Sequence, residues 1–267
     1  PAGENLALIS AIINDRNRAA GRAGGGAVMG SKKLKAVVVK ADGQKKYPDE
    51  YKKLGIANSK HVKTDPKLEA LRRYGTSILV NYQNNSGVLP AQNHMRVQVP
   101  YISKIKAEKL DEYVIKSKGC YSCPIRCGRV SQVKDGKYAC DTGGPEYETL
   151  NALGPMPFIS DMEAIIYTNL RCNELGLDTI STGVTVSFAM ECFENGLLDE
   201  YDVQLAWGDA DATIDIIEKM ARREGLGDVL ANGVRKAAEQ IGGGAQKFAM
   251  QVKGLEKAAS GVTASIE

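Results

Sequence analysis

The chain has 267 residues, 43% of them hydrophobic and 25% charged, enough to bury one large core or two smaller ones. Its 35 Lys and Arg interleave with 32 Asp and Glu for a formal net charge of +3, so there is no general basic footprint for nucleic acid. No stretch reaches the roughly 18 apolar residues that span a bilayer, and the opening Pro1-Ala2-Gly3-Glu4-Asn5 carries no signal-like pattern; a cytoplasmic protein is expected.

In chain order, a Gly-rich run from Gly21 to Gly30 leads into Leu34-Lys35-Ala36-Val37-Val38-Val39, whose β-branched residues predict a short strand closed by the turn Ala41-Asp42-Gly43. A boundary near Gly43 separates residues 1–43 from 44–267. Pro48 and Pro66 sit where first helical turns begin, predicting helices over 48–61 and 66–74, the second stopped by Gly75. Ser160 with Glu163 three residues on forms a capping box for a helix that ends at Gly176. The next helix starts near Thr179 and ends at Gly196; it is apolar nearly all round and must be buried. Two more are predicted, over 211–224 with Ile214, Ile217 and Ala221 on one face and Gly225 as stop, and over 227–240 before Gly242-Gly243-Gly244. The predicted class is mostly α, a multihelical domain behind a short Gly-rich, β-containing N-terminal remnant, with strand confined mainly to the first forty residues.

Three of the six cysteines fall within eight residues, at Cys120, Cys123 and Cys127, whereas Cys140, Cys172 and Cys192 are dispersed. Without a secretory signal, this clustering favours metal over disulfides. A tight turn can aim three thiolates at one centre, as an iron-sulfur cluster requires, and a zinc site with Cys140 as fourth ligand satisfies the same spacing. His61 and His94 lie in no Cys, Asp or Glu cluster and are expected at the surface or packed. Asn173-Glu174-Leu175-Gly176-Leu177-Asp178 reads locally as a Gly C-cap followed by an Asp N-cap. Glu146 and Glu148 flank Tyr147 in what is either a solvated acidic turn or a pair of working carboxylates.

The cysteine run, with Pro124 and Gly128-Arg129, resembles that of the aldehyde ferredoxin oxidoreductase family. So do, in the same order along the chain, Arg18-Ala19-Ala20-Gly21-Arg22, Gly26-Ala27-Val28-Met29-Gly30-Ser31-Lys32, Gly75-Thr76, Gly87 with Leu89-Pro90, Gly144-Pro145-Glu146-Tyr147-Glu148 and Gly176-Leu177-Asp178-Thr179-Ile180-Ser181. The resemblance runs to about Glu256, with Ala23 and Gly25 where the family has Gly and Leu, and Asn173 where it has Asp.

The resemblance implies an oxidoreductase that converts aldehydes to carboxylic acids with ferredoxin as acceptor, assembled as a homodimer. It implies a 4Fe-4S cluster on Cys120, Cys123 and Cys127. It also implies a tungsten (or molybdenum) bis-pterin, with magnesium bridging its phosphates, held by Arg18, Ala19, Gly21, Arg22, Asn173, Gly176, Leu177 and Asp178. Glu146 and Glu148 are then the catalytic candidates. In the Gly-rich segment, glycines allow backbone to approach phosphates while Arg18 and Arg22 supply charge. The family's fourth cluster cysteine, most of its pterin-binding saddle and a further active-site histidine are not found here. Together with the missing initiator Met, this leads to the expectation of an excised piece, inactive alone. The rival expectations are a related tungsten enzyme that reduces an aromatic acyl-CoA, and a non-enzymatic zinc or iron-sulfur module.

Overall fold

The structure, a computed structural model, describes residues 1–43 and 46–259. An antiparallel hairpin of β1 (Ile12–Asn14) and β2 (Arg18–Ala20) precedes α1 (Gly25–Ser31). Next come α2 (Asp49–Thr64), α3 (Glu69–Tyr74), α4 (Ile78–Asn85) and the short α5 (Ile102–Ile105) and α6 (Ala107–Asp111). Strands β3 (Val114–Lys118), β4 (Gly128–Val133) and β5 (Cys140–Gly143) form an antiparallel sheet with β4 in the middle. The remainder is α7 (Tyr147–Leu153), α8 (Met162–Leu175), α9 (Thr179–Glu194), α10 (Ala210–Arg222), α11 (Leu226–Leu230), α12 (Val234–Ile241) and a terminal hairpin of β6 (Gln251–Val252) and β7 (Leu255–Glu256). With 47% helix and 11% strand the class is mostly α, as the sequence implies. Among the described residues no helix is long and apolar enough to cross a membrane.

The core is built around α9. Its residues from Ser181 to Cys192 are buried without interruption, because helices α7, α8, α10 and α12 pack around it. Polar residues in this stretch find partners within the protein: Ser187 donates its hydroxyl to the Gly183 carbonyl one turn back, at 2.7 Å, and Glu191 accepts from Asn93. Gly183 lets α7 approach, since a Cβ there would stand 2.0 Å from the Ala152 carbonyl oxygen. Residues 1–11 pack into the same core, with Ala2 and Ala7 fully buried.

Several elements differ from expectation for identifiable reasons. The predicted strand at Leu34–Val39 is not formed; it meets no sheet edge among the described residues, and a β-branched run cannot close its hydrogen bonds alone. Strand is instead found well beyond the first forty residues, at 114–143, where period-2 patterning brackets the cysteines. The cap of α8 is Asp161, which accepts from the N–H groups of Glu163 and Ala164, and not Ser160. Helix α10 ends on Arg223 in a left-handed conformation, two residues before Gly225. The single helix predicted over 227–240 is two, broken where Gly233 takes φ 79°. Most of the Gly-rich run serves backbone packing: Cβ atoms at Gly24, Gly26 and Gly30 would meet carbonyl oxygens of Leu8, Ala11 and Gly3 at 2.4, 2.6 and 1.9 Å. The tail beyond residue 259 lies outside the described residues.

Two strained places generate predictions. Ala23 holds φ 70°, which disfavours a side chain. Ala23→Gly should raise unfolding stability by about 0.5–1 kcal/mol, measured by denaturant melts. Gln92, Asn93 and His94 are all left-handed, with φ of 48, 49 and 66°, carrying Asn93 into the core to donate to Glu191 and to the Phe248 carbonyl. Burial, with Lys257 adding to it, pushes His94 down to about 4. The unfolded chain therefore takes up this proton at a higher pH than the folded one. The His94 contribution is complete above the ordinary histidine value and is lost as pH falls towards 4, by about 2–3 kcal/mol. The stability difference between the parent and His94→Asn should trace this slope; a pH-independent difference would contradict it.

Candidate functional site

The α8–α9 junction makes one wall of the site. Gly176, at φ 77°, reverses the chain, and Asp178 caps α9 by accepting from the Ser181 N–H at 2.9 Å. Residues 9–11 run alongside: Asp178 N–H donates to the Ile9 carbonyl at 3.0 Å and Ala11 N–H to the Gly176 carbonyl at 2.8 Å. This register brings the segment after β2 against Asp178. Arg22 lies 3.7 Å from the carboxylate and also donates to the Glu256 carbonyl, and a Cβ on Gly21 would sit 3.0 Å from Asp178 Oδ1.

The opposite wall is the start of α7. Glu146 Oε1 accepts from Arg18 at 3.1 Å and its Oε2 accepts from the Thr76 hydroxyl, whose oxygen accepts from the Tyr147 N–H at 3.0 Å. Between the walls is a cavity of about 270 Å³, lined by Arg18, Ala19, Glu146, Asn173, Leu177 and Asp178 among others. Of the residues that the resemblance proposes for the pterin, the fold brings Arg18, Ala19, Asn173, Leu177 and Asp178 onto this lining, whereas Gly21, Arg22 and Gly176 are not on it. Glu148 is not on this lining; its Oε2 accepts from the Ala259 N–H at 3.1 Å. A second cavity of about 370 Å³ is lined by Asp178, Arg235, Lys236 and Glu256 among others.

The cysteine run is the loop between β3 and β4. Cys120 is exposed, Cys123 and Cys127 are half-buried, and all three are free thiols. Cys123 N–H donates to the Cys120 carbonyl at 3.0 Å, and Ser122 and Arg126 are left-handed, so the loop is tightly wound. Burial pushes the Cys127 thiol above the usual range, and Glu146 adds to the shift. The loop base is clamped: Arg129 donates to the carbonyls of Arg126, Gly128 and Arg72, and Gly75, at φ 65°, approaches so closely that a Cβ would stand 2.3 Å from the Cys127 carbonyl. Arg18 presses on the same base, beside Gly128, so this arginine touches both the cavity and the cysteine loop.

Two family models match the chain, one described as aldehyde ferredoxin oxidoreductase, N-terminal domain, over residues 1–41, and one as aldehyde ferredoxin oxidoreductase, domains 2 & 3, over residues 53–265. The chain belongs to the aldehyde ferredoxin oxidoreductase family. It is 43% identical over 266 residues to the tungsten-containing aldehyde ferredoxin oxidoreductases of Pyrococcus furiosus and Thermococcus kodakarensis, in each case over 96% of this chain and 43% of the relative. An aliphatic sulfonate oxidoreductase, WOR-like subunit, from Pyrococcus furiosus is 30% identical over 99% of this chain and 44% of its own length. Among solved structures, the active-site complex BamBC of benzoyl coenzyme A reductase with 1,5-dienoyl-CoA superposes with a TM-score of 0.79 at 27% identity, over 97% of this chain and 41% of that one. The chain spans less than half the length of these relatives. The second family model continues to residue 265, so the family match extends past Glu256, where the motif resemblance ends.

Within an aldehyde ferredoxin oxidoreductase frame, the donor set of the cavity suits a pterin that carries phosphates. Arg18 and Lys118 supply positive charge for phosphate, and Asp178 and Asn173 supply oxygen acceptors for ring N–H groups, around one cavity. Three unbridged thiols on one wound loop suit a cluster, although among the described residues no three His, Cys, Asp or Glu groups are close enough to hold a metal ion. Cys140 is not available as fourth ligand. It pairs with Val133 at the far end of β4 from Gly128, roughly 16 Å along the strand.

Sequence reasoning missed Asn17, Lys118, Asn169 and Arg129 as lining residues. Asn169 could have been found, since it lies four residues before Asn173 on one helix and the two side chains bond at 3.3 Å. Lys118 and Asn17 arrive through tertiary structure. The partly exposed loop 119–127 contrasts with buried α9, and hydrogen exchange should show its amides exchanging about a hundredfold or more faster than those of α9 in metal-free protein. Equal protection would mean that packing, not metal, organises the loop.

Proposed function

We propose that this chain is the cofactor-binding part of an enzyme that oxidises aldehydes to carboxylic acids in the cytoplasm, with ferredoxin as electron acceptor. The observation that carries this reading is the convergence of Arg18, Ala19, Glu146, Asn173, Leu177 and Asp178 on one cavity whose arginine also touches the cysteine loop. In this reading the cavity takes a tungsten (or molybdenum) bis-pterin whose phosphates are bridged by magnesium, and Cys120, Cys123 and Cys127 take a 4Fe-4S cluster with a fourth ligand that is not among this chain's cysteines. When bound, the metal-pterin supplies the two-electron oxidation and the cluster a route for single electrons.

The protein's own work is charge and position. Arg18 and Lys118 bind phosphate, Asp178 accepts from the pterin ring and Asn173 accepts without adding charge. Glu146, with both oxygens engaged, holds Arg18 between cavity and cluster loop. Glu148 stands outside this lining, on the Ala259 N–H, and is the remaining carboxylate candidate for positioning or deprotonating water or an aldehyde hydrate. The 43% identity to aldehyde-oxidising relatives favours this substrate class, while the fold of the benzoyl coenzyme A reductase complex supports reduction of an aromatic acyl-CoA as the second reading.

The test is the full-length protein, prepared without oxygen and with tungstate, assayed for aldehyde-dependent reduction of methyl viologen. Aldehyde-dependent turnover is expected; an intact tungsten and iron complement that turns over only aromatic acyl-CoA would select the second reading. Glu148→Gln should lower kcat about a hundredfold or more at unchanged metal content. Glu146→Gln, by releasing Arg18, should lower tungsten content as well.

A further inference from the structure

Several threonines within helices of this chain donate to the carbonyl four residues back, as Thr64, Thr168 and Thr213 do. Thr76 instead stands in the turn Gly75–Ser77 between α3 and α4, and its side chain reaches the start of α7, 70 residues on. There the Tyr147 N–H, one of the first-turn groups with no partner inside α7, donates to Thr76 Oγ1 at 3.0 Å, and the Thr76 hydroxyl donates to Glu146 Oε2. Glu146 occupies the N-cap position of α7, yet its own side chain makes no capping bond. Thr76 supplies that cap from another element, which leaves the Glu146 carboxylate to meet Arg18.

This arrangement fixes the direction of the hydroxyl. Its one hydrogen goes to the carboxylate, which only accepts, because the Tyr147 N–H already points at the oxygen. Thr76 is itself held from behind: Gly75, at φ 65°, packs on the Cys127 carbonyl, and the Ser77 hydroxyl donates to the Tyr74 carbonyl at 2.6 Å. The Arg18 and Glu146 side chains are 39% and 34% exposed, and an ion pair so open to solvent does not hold two flexible side chains in one geometry unaided. The bond from Nη1 to Glu146 is the only side-chain hydrogen bond of Arg18 among the described residues, so its other N–H groups are left to an anion in the cavity. We infer that Thr76 is a positioning residue for this guanidinium: acting through Glu146, its hydroxyl sets where Arg18 points and thereby how firmly the cavity holds a phosphate-bearing pterin. The inference rests on the functional reading above, in which Arg18 binds the phosphate.

The experiment uses the full-length protein, prepared without oxygen and with tungstate, and measures tungsten and pterin per folded chain. Thr76→Val keeps the shape of the side chain and removes the hydroxyl, Thr76→Ser keeps the hydroxyl, and Thr76→Val is also combined with Glu146→Gln. Thr76→Val should lower tungsten and pterin together by about threefold or more, and Thr76→Ser should stay near the parent. Adding Thr76→Val to Glu146→Gln should cause no further loss, because the two changes break one chain of contacts. Full tungsten and pterin in Thr76→Val would overturn the inference and leave the functional reading standing. Equal loss in Thr76→Ser, or losses that multiply in the double variant, would do the same, since Thr76 would then act by packing or by a route of its own. Should the valine variant not fold, Thr76→Ala, which removes the hydroxyl without adding bulk, carries the same comparison. A full-length parent that takes up neither tungsten nor pterin would overturn the functional reading and this inference with it.

Discussion

Backbone pairing between residues 2–11 and the turn from Leu175 to Asp178 sets the position of everything else at the site. Ala2 N–H donates to the Leu175 carbonyl at 2.9 Å, Ser10 bridges Leu177, and the bonds from Ala11 and Asp178 complete the stitch. These groups are buried, so their hydrogen bonds must be made within the protein, and a shift in register would leave several unpaired. The pairing explains why the N-terminal match and the later one, separated along the chain, form one site. It also explains why Asp178 can serve two purposes. As an N-cap it needs one oxygen on the Ser181 N–H, which leaves the rest of the carboxylate facing Gly21, Arg22 and the cavity.

A second constraint joins this cavity to the cysteine loop. Gly75 against Cys127, Arg129 across three carbonyls, Thr76 on Glu146 and Glu146 on Arg18 make a continuous path of short contacts. Each link is local, yet together they hold the loop base while its tip stays open to solvent.

The helices were legible where one physical signal dominated. The apolar girth of α9, the left-handed Gly176 and the cap at Asp178 are properties of short sequence windows. The capping residue of α8 was misplaced by one because Ser160 and Asp161 both suit the role and only the backbone at Asp161 presents its oxygen to Glu163 and Ala164. The sheet at 114–143 is hard to read from sequence because the cysteine run separates its first two strands, and of these only Gly128–Val133 alternates buried with half-buried residues. Leu34–Val39 misled for the converse reason: its composition suits a strand, but pairing needs a partner that composition does not reveal. At the site, residues within motifs were legible, whereas Lys118 and Asn17 join it only through folding. Cys140 was a reasonable fourth ligand by spacing and is removed by register alone.

The central claim is that the cavity and the loop hold different groups, the pterin through ring N–H groups donated to the Asp178 carboxylate and the cluster by thiolate. The most direct measurement is tungsten, pterin and iron content of the full-length protein with Asp178→Asn and, separately, Cys123→Ser. Asparagine preserves the helix cap and removes the charge, so the fold is retained. The account predicts that Asp178→Asn lowers tungsten and pterin together by about tenfold while iron stays near the parent level, and that Cys123→Ser lowers iron. Full tungsten and pterin in Asp178→Asn, or full iron in Cys123→Ser, would contradict it.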